Sequence, residues 1–243
     1  MTLTQPPRPG RAGHAAAGVA LIFILASPAR GEECRSPLAD GEPDIEFKIE
    51  AGPVSWHNDK NRDQLRVLRA NSGAKVAAVG PHWQSIGLTL NSYILAVEVR
   101  VAATALSPAR KSDKNSPAYC ARLTSATVRF GTQRTNVYVA REYQPGSCAH
   151  EIVRDHEGRH VAIYQDAVER YAPLIEKKLQ ASARALRPVR VATAQDGAER
   201  LRKALHDDLS QIFDAMGRET ERENGALDTP AAYGAERKRC SDW

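Results

Sequence analysis

The fold is decided by one stretch, Ser147-Cys148-Ala149-His150-Glu151-Ile152-Val153-Arg154-Asp155-His156-Glu157-Gly158-Arg159-His160. It ends in the pattern His-Glu-x-x-His. Apolar residues recur at intervals of three and four within and beyond it: Ile152, Val153, Ile163, Ala167, Tyr171 and Leu174. This period predicts one long amphipathic helix, kinked or restarted at Pro173, with both histidines of the pattern on its buried face.

The spacing of the two histidines predicts a metal site. On a helix, His156 and His160 are one turn apart, so both rings can bind a single Zn²⁺ ion. Glu157 lies about 100 degrees further round the axis, where it can act as general base on a water bound to the metal. A pair of core histidines bonded to backbone carbonyls is the simpler alternative.

The first 31 residues differ from the rest of the chain. Arg8 and Arg11 precede an apolar run over residues 15–26, and small residues follow it as far as Gly31. This order is typical of a signal peptide, so we expect residues 1–31 to be cleaved from a protein that is secreted or periplasmic. An uncleaved membrane anchor is the alternative, and we expect no stable membrane span after cleavage.

The charge and the cysteines narrow the class of protein further. Arg8, Arg11 and Arg30 contribute three units of the formal net charge of +5, and no basic stripe with interleaved aromatics remains, which argues against a nucleic-acid partner. The chain has four cysteines, an even number that predicts two disulfides in an exported protein. We favour the pairs Cys120–Cys148 and Cys34–Cys240, although spacing cannot establish the connectivity.

The remaining periodicity predicts an α+β fold: a small, mostly antiparallel sheet, then the long His-Glu-x-x-His helix and a second long helix. In chain order we expect an irregular lead-in over residues 32–52, a single domain over 53–235 and a C-terminal tail over 236–243. Within the domain we expect a short helix at about 59–70, three or four strands between 86 and 142, a second long helix at about 196–223 and irregular chain from Asn224 onward.

A catalytic zinc ion needs a third protein ligand. In the metzincin pattern the third ligand stands ten residues after the first histidine, which here is Asp166. That pattern needs a glycine at position 163 to end the helix, and because the residue is Ile163 we reject Asp166. In the thermolysin-like pattern the third ligand is an acidic residue of a second helix downstream, and here Asp208 and Glu199 are the candidates, with Asp208 on the inward side.

The end of the chain offers another ligand. The sequence resembles an uncharacterised bacterial family of predicted secreted zinc-dependent proteases. Asp63-Gln64-Leu65-Arg66 matches the family's early helix, Gly87-Leu88-Thr89 its Gly-x-Thr strand, and His156–His160 its zinc helix. Asp228 and Gly234 match the first and last residues of its closing Asp-x-x-Thr-x-His-Gly motif.

The resemblance covers about residues 53–234 and implies a zincin-like domain. The chain departs from the closing motif at Ala231, where the family has threonine, and at Tyr233, where it has histidine. Asp228 is then the first choice for the third zinc ligand or for a partner of a ligand histidine, and Asp208 the runner-up. Tyr233 would coordinate the metal or donate its hydroxyl to an oxyanion. A turn cap at Asp228 and simple packing by Tyr233 are the alternatives.

These predictions together indicate a zinc-dependent hydrolase, and a peptidase with a peptide or protein substrate is the preferred interpretation. Glu157 would take a proton from the attacking water and pass it to the leaving amine. The segment 135–142 is the candidate edge strand for pairing with substrate. A secreted binding or assembly protein with a structural or inactive zinc site is the alternative from another class, and cell-wall amides are an alternative substrate.

Overall fold

One central strand, β4 (Tyr119–Val139), organises the sheet, because each of the other described strands pairs with it. The computed structural model describes residues 41–72, 86–106 and 119–241 together with Cys34 and Trp243. Those residues belong to one compact unit, Cys34–Trp243. The predicted signal peptide, residues 1–31, lies outside them.

The strands around β4 form a mixed sheet. On one edge, β3 (Gly87–Ala105) runs antiparallel to β4 along its whole length, from Gly87 opposite Val139 to Ala105 opposite Tyr119. The other edge is shared by three shorter strands: β1 (Asp44–Ala51), β2 (Val54–His57) and β5 (Val189–Val191). β1 and β2 are parallel to β4, whereas β5 is antiparallel to it.

The expectation of a mostly antiparallel sheet is therefore wrong, because β1 and β2 flank β4 in parallel. The chain reverses once between β2 and β3 and again between β3 and β4, so β2 and β4 point the same way. The irregular lead-in expected over residues 32–52 is also wrong for residues 44–51. The alternation of Ile45, Phe47 and Ile49 with charged residues was present in the sequence, and Ile45 and Phe47 pack against the core.

Two long strands replace the three or four short ones expected. Residues that resemble turns break the register of the sheet without ending the strands. Ser92 faces Arg134 and Tyr93 faces Thr132, which leaves Gln133 unpaired. At the same level Gly52 approaches so closely that a Cβ would overlap the Gln133 carbonyl. The irregularity at Gln133 therefore affects both sides of β4, and on the side opposite β3 it lies at the break between β1 and β2.

Four helices complete the described chain. The 38-residue α2 continues through Pro173 rather than restarting there. The chain after residue 224 is helical, not irregular, because Thr229 caps a short helix that has Pro230 in its first turn. The helices are α1 (Arg62–Asn71), α2 (Cys148–Ala185), α3 (Ala194–Leu227) and α4 (Pro230–Arg237). Within the described ranges, none of them is both long enough and apolar enough to cross a bilayer.

The core has a large part and a small part. In the large part, α2 and α3 pack on the sheet around Phe130, Ile175 and Leu205, all of which are fully buried. The small part joins the start of α2 to α1 and to the adjacent ends of β3 and β4, around Leu65 and Val153. The first turns of α2, which carry the histidines, are thus fixed on the sheet by this small cluster.

The two predicted disulfides are present, but the preferred pairing is wrong. Cys34 is bonded to Cys120 and Cys148 to Cys240, with Cα–Cα distances of 5.8 and 6.0 Å. Cys120 lies at the start of β4 and Cys148 at the start of α2, so the fold separates the pair that was expected to bond. Two disulfides fit a protein that matures in an oxidising compartment.

Candidate metal centre

The histidine face of α2 is buried as its period predicts. Ser147 caps the helix by accepting a hydrogen bond from the His150 backbone amide. His156 and His160 are 2% and 6% exposed. Buried polar rings require partners.

Both rings point one nitrogen at the same oxygen. The distance from His156 Nε2 to Asp228 Oδ1 is 3.1 Å, and that from His160 Nε2 to the same oxygen is 3.2 Å. The two Nε2 atoms are themselves 3.2 Å apart. Asp228 follows α3 as its C-cap residue, so the end of α3 delivers this carboxylate to the helix that carries the histidines. The three residues form a group that could hold a metal ion.

The other nitrogen of each ring meets an acceptor. Nδ1 of His160 lies 2.6 Å from Asn224 Oδ1, and Nδ1 of His156 lies 3.2 Å from the Glu236 carboxylate. An Nδ1–H that donates to each acceptor leaves both Nε2 atoms unprotonated and directed at Asp228. Arg159 donates to Glu236 from the side. The acceptors Glu236 and Asn224 therefore favour the tautomer in which both Nε2 lone pairs face the shared centre, while the Arg159 guanidinium also lies 3.3 Å from His156 Nδ1.

Sequence reasoning missed Asn224 and Glu236. Asn224 precedes Asp228 by one helical turn, and Glu236 follows Tyr233 by three residues. Both spacings are informative only on a helix. Because the chain after residue 224 was expected to be irregular, neither spacing could be used.

Asp228 is surrounded by donors. Tyr233 donates its hydroxyl to Asp228 Oδ1 at 2.5 Å and stacks its ring on His156 at 4.7 Å between centroids. Arg69, from the last turn of α1, lies 3.5 Å from the second carboxylate oxygen. Burial raises the pKa of Asp228, but when His156 and His160 are protonated their hydrogen bonds hold it far below its usual range.

Glu157 is buried beside the sheet, with 4% of its surface exposed. Thr89 donates its hydroxyl to Glu157 Oε2 at 2.7 Å. A Cβ at Gly87 would overlap the Glu157 carboxylate, so the start of β3 accommodates this side chain because residue 87 is glycine. Burial raises the pKa of Glu157, while His160 and His156, when protonated, and the Thr89 bond lower it in part. The result favours a carboxylate that accepts a proton readily.

The remaining candidates lie elsewhere. Asp208 accepts a hydrogen bond from Ser182 at 2.6 Å and pairs with Lys178, which places it on the α2–α3 contact away from the histidines. Glu199 pairs with Arg202 on the surface of α3. The segment 135–142 is not an edge strand, because residues 135–138 of β4 lie between β2 and β3.

Comparison with known proteins gives no relative from which a role could be taken. No family model matches the chain, and neither a curated protein nor a solved structure does. The site must therefore be interpreted from its own geometry.

Proposed function

We propose that this protein is an exported zinc-dependent hydrolase, and specifically a peptidase. The triangle formed by His156 Nε2, His160 Nε2 and Asp228 Oδ1 carries the proposal, with sides of 3.1, 3.2 and 3.2 Å. When both Nδ1 atoms donate outward, the three atoms of this triangle are all acceptors. Three acceptors at such distances repel one another unless a cation lies between them.

Zinc fits the size and chemistry of this triangle. Zinc binds imidazole nitrogen and carboxylate oxygen at about 2.0–2.2 Å, and two ligands of a tetrahedral site are then roughly 3.3 Å apart. Two imidazoles and one carboxylate leave a fourth position for water, which is the ligand set of catalytic rather than structural zinc. The outward bonds of His156 to Glu236 and of His160 to Asn224 are the orienting contacts that such ligands need.

The chain supplies the groups for amide hydrolysis. A bound zinc ion would provide a Lewis acid that acidifies water and polarises the carbonyl of the substrate. Glu157 follows the first histidine directly, and its buried carboxylate takes the proton from water and gives it to the leaving amine. Thr89 and Gly87 keep that carboxylate in one position. Tyr233, bonded to Asp228 Oδ1, holds the third ligand, and its hydroxyl is the donor that would turn towards an oxyanion.

One observation favours the alternative of a structural metal in a binding or assembly protein. His156, His160 and Glu157 are only 2%, 6% and 4% exposed. A metal enclosed in this way would stabilise the contact of the C-terminal segment with α2 without acting on a substrate.

The decisive experiment combines metal analysis with the variant Glu157→Gln. We expect protein folded with zinc to bind one equivalent, and Glu157→Gln to retain the zinc while hydrolysis of an unstructured protein substrate falls about 10²- to 10⁴-fold. Glu169→Gln, at an exposed position of the same helix, is the matched control and should behave like the unmodified protein.

The outcomes separate the hypotheses. Absence of zinc from correctly folded protein would refute the metal site. Stoichiometric zinc without hydrolysis of peptides or proteins would leave the structural metal as the explanation. Equal loss of activity in Glu157→Gln and Glu169→Gln would show that the effect has nothing to do with the site.

A further inference from the structure

We propose that the Cys148–Cys240 disulfide controls whether the site retains its metal. In this regulation the disulfide keeps the C-terminal segment, defined here as residues 228–240, closed over the histidine pair. Opening the disulfide releases that segment and then the metal, while the sheet and the packing of α2 on α3 persist. The regulation depends on the metal site proposed above.

The C-terminal segment supplies most of what surrounds His156. Asp228 contributes the oxygen at 3.1 Å from Nε2, Glu236 accepts at Nδ1, and Tyr233 stacks on the ring. Removing the segment would leave the two histidines on α2 without the carboxylate that completes the group. Its position therefore determines whether a metal has two protein ligands or three.

Little apolar burial holds this segment in place. Along α4, Glu236 is the buried residue, and the apolar side chains of the helix are exposed or half-buried. An ion pair between Arg239 and Asp155 spans 3.9 Å at the surface, where such pairs contribute little stability. Beyond Cys240, Trp243 makes an edge contact with Tyr143, with ring centroids 6.0 Å apart. The covalent link at Cys240 is the strongest of these constraints.

The disulfide is well placed to act on the ligands. Cys240 follows Glu236 by four residues, and Cys148 precedes His156 by about two turns of α2. The bond therefore fixes the far end of the segment to the same helix that carries the histidines. Once it opens, α3 is the remaining covalent connection of the segment, and polar contacts such as those of Glu236 with Arg159 and of Asp228 with Arg69 are left to hold it in place.

The two disulfides differ in their accessibility to a reductant. Cys148 is exposed at the start of α2, whereas Cys120 is fully buried at the start of β4. A dithiol in solution, or a dithiol oxidoreductase, reaches the exposed sulfur first. The exchange transfers two electrons: the dithiol becomes a disulfide, and Cys148 and Cys240 become thiols. The Cys34–Cys120 bond, at the opposite end of the sheet, provides an internal control.

The test measures the rate of zinc release. Zinc-loaded protein is mixed with a chromophoric chelator, and release is followed for the unmodified protein, for Cys148→Ser/Cys240→Ser and for Cys34→Ser/Cys120→Ser. We expect the first pair of substitutions to accelerate release about 10- to 100-fold, the range found when contacts that orient ligands are lost. The control pair should change it less than about threefold, and circular dichroism should show the helices intact in both.

A second measurement needs no substitution and therefore tests the proposal even when a variant does not fold. The unmodified protein is treated with a phosphine reductant, and thiol alkylation with mass spectrometry reports which bond has opened. Zinc release that follows the opening of Cys148–Cys240 supports the proposal. Equal release rates before and after this opening, or equal acceleration by both pairs of substitutions, would overturn it. Failure of the oxidised, unmodified protein to bind zinc would instead refute the proposed function.

Discussion

The two halves of α2 are buried against different kinds of partner. From Ala167 to Ala183 the buried side chains are apolar except Ser182, and they pack on α3 and on the sheet. From Ala149 to Val161 the buried set includes His156, Glu157 and His160, whose partners are polar groups. One continuous helix thus joins a core that excludes water to a site built from hydrogen bonds.

This difference indicates that the second half of α2 contributes mainly to stability, whereas the first half carries the residues of the candidate site. Apolar burial stabilises the second half whatever the metal content. In the first half, buried imidazoles and carboxylates lose their hydration, and only hydrogen bonds or metal contacts of good geometry offset the free-energy cost of that loss. We therefore expect the first half to depend on a bound metal, and the second half to fold without one.

The largest expected effect tests the apolar half. Leu179→Ala removes a fully buried side chain, and we expect a loss of about 2–5 kcal/mol in the free energy of unfolding. Leu174→Ala, at a position that is 50% exposed, should cost far less. Urea denaturation of zinc-free protein, followed by circular dichroism, measures both. Similar losses in the two variants would mean that this half of α2 is not packed as described.

The next effect tests the polar half. Asp228→Ala removes the oxygen that faces both Nε2 atoms, and we expect zinc affinity to fall at least about 100-fold, beyond the loss typical of contacts outside the ligand set. Asp208→Ala should leave zinc affinity unchanged and cost about 1 kcal/mol of stability, because it loses the bond from Ser182. Competition titration against a chelator measures affinity. A loss in Asp208→Ala as large as that in Asp228→Ala would contradict the assignment.

A third change tests the contact between the sheet and the site. Gly87→Ala places a methyl group where the Glu157 carboxylate lies, and we expect a cost of about 1–3 kcal/mol together with a lower rate of hydrolysis. Gly217→Ala in α3 meets no atom within 4 Å, and it should be neutral or stabilise by up to about 1 kcal/mol. Denaturation measures the stability of both variants, and a hydrolysis assay measures their rates. An unaltered rate of hydrolysis in Gly87→Ala would show that activity does not depend on the position of the Glu157 carboxylate.

The smallest effect lies on Tyr164, on the same helix one turn after His160. Burial raises the pKa of Tyr164 to about 12, and the negative charges of Glu157 and Asp228 contribute. Because the pKa is raised in the folded state, the stabilisation is complete below the unfolded value of about 10 and is lost as the pH rises towards 12. Absorbance of the phenolate at alkaline pH, compared with Tyr164→Phe, measures this ionisation. A difference spectrum that titrates near pH 10 would contradict the raised pKa of Tyr164.

Residue patterns within single segments predicted the features that depend mainly on neighbouring residues, such as helix location and the buried face of a helix. The period of α2 placed His156 and His160 correctly on its buried face, although Leu174 of the same predicted stripe is 50% exposed. The short helix expected at about 59–70 is present as α1. The grouping of Asp228 with the histidines was reached through a resemblance and is also found in the structure. Its role as a ligand stays a prediction.

Contacts between distant segments were beyond the sequence. Strand direction depends on how many reversals separate two strands, which no window of residues contains. The disulfide pairing depends on which strand and helix ends meet, so Cys34 with Cys120 could not be distinguished from its alternatives. Glu236 was missed because α4 is short and depends on contacts with the rest of the fold.

The central position of β4 has a consequence for how the chain folds. β1 can pair only after β4 has been synthesised, since Asp44 pairs with Ser125, 81 positions further along the chain, whereas β3 and β4 are neighbours in sequence. Long loops close slowly relative to local hairpins. We expect the β3–β4 pair to form first and to act as a template on which β1 and β2 later assemble. β1 and β2, which are synthesised early, would then be among the last strands to pair.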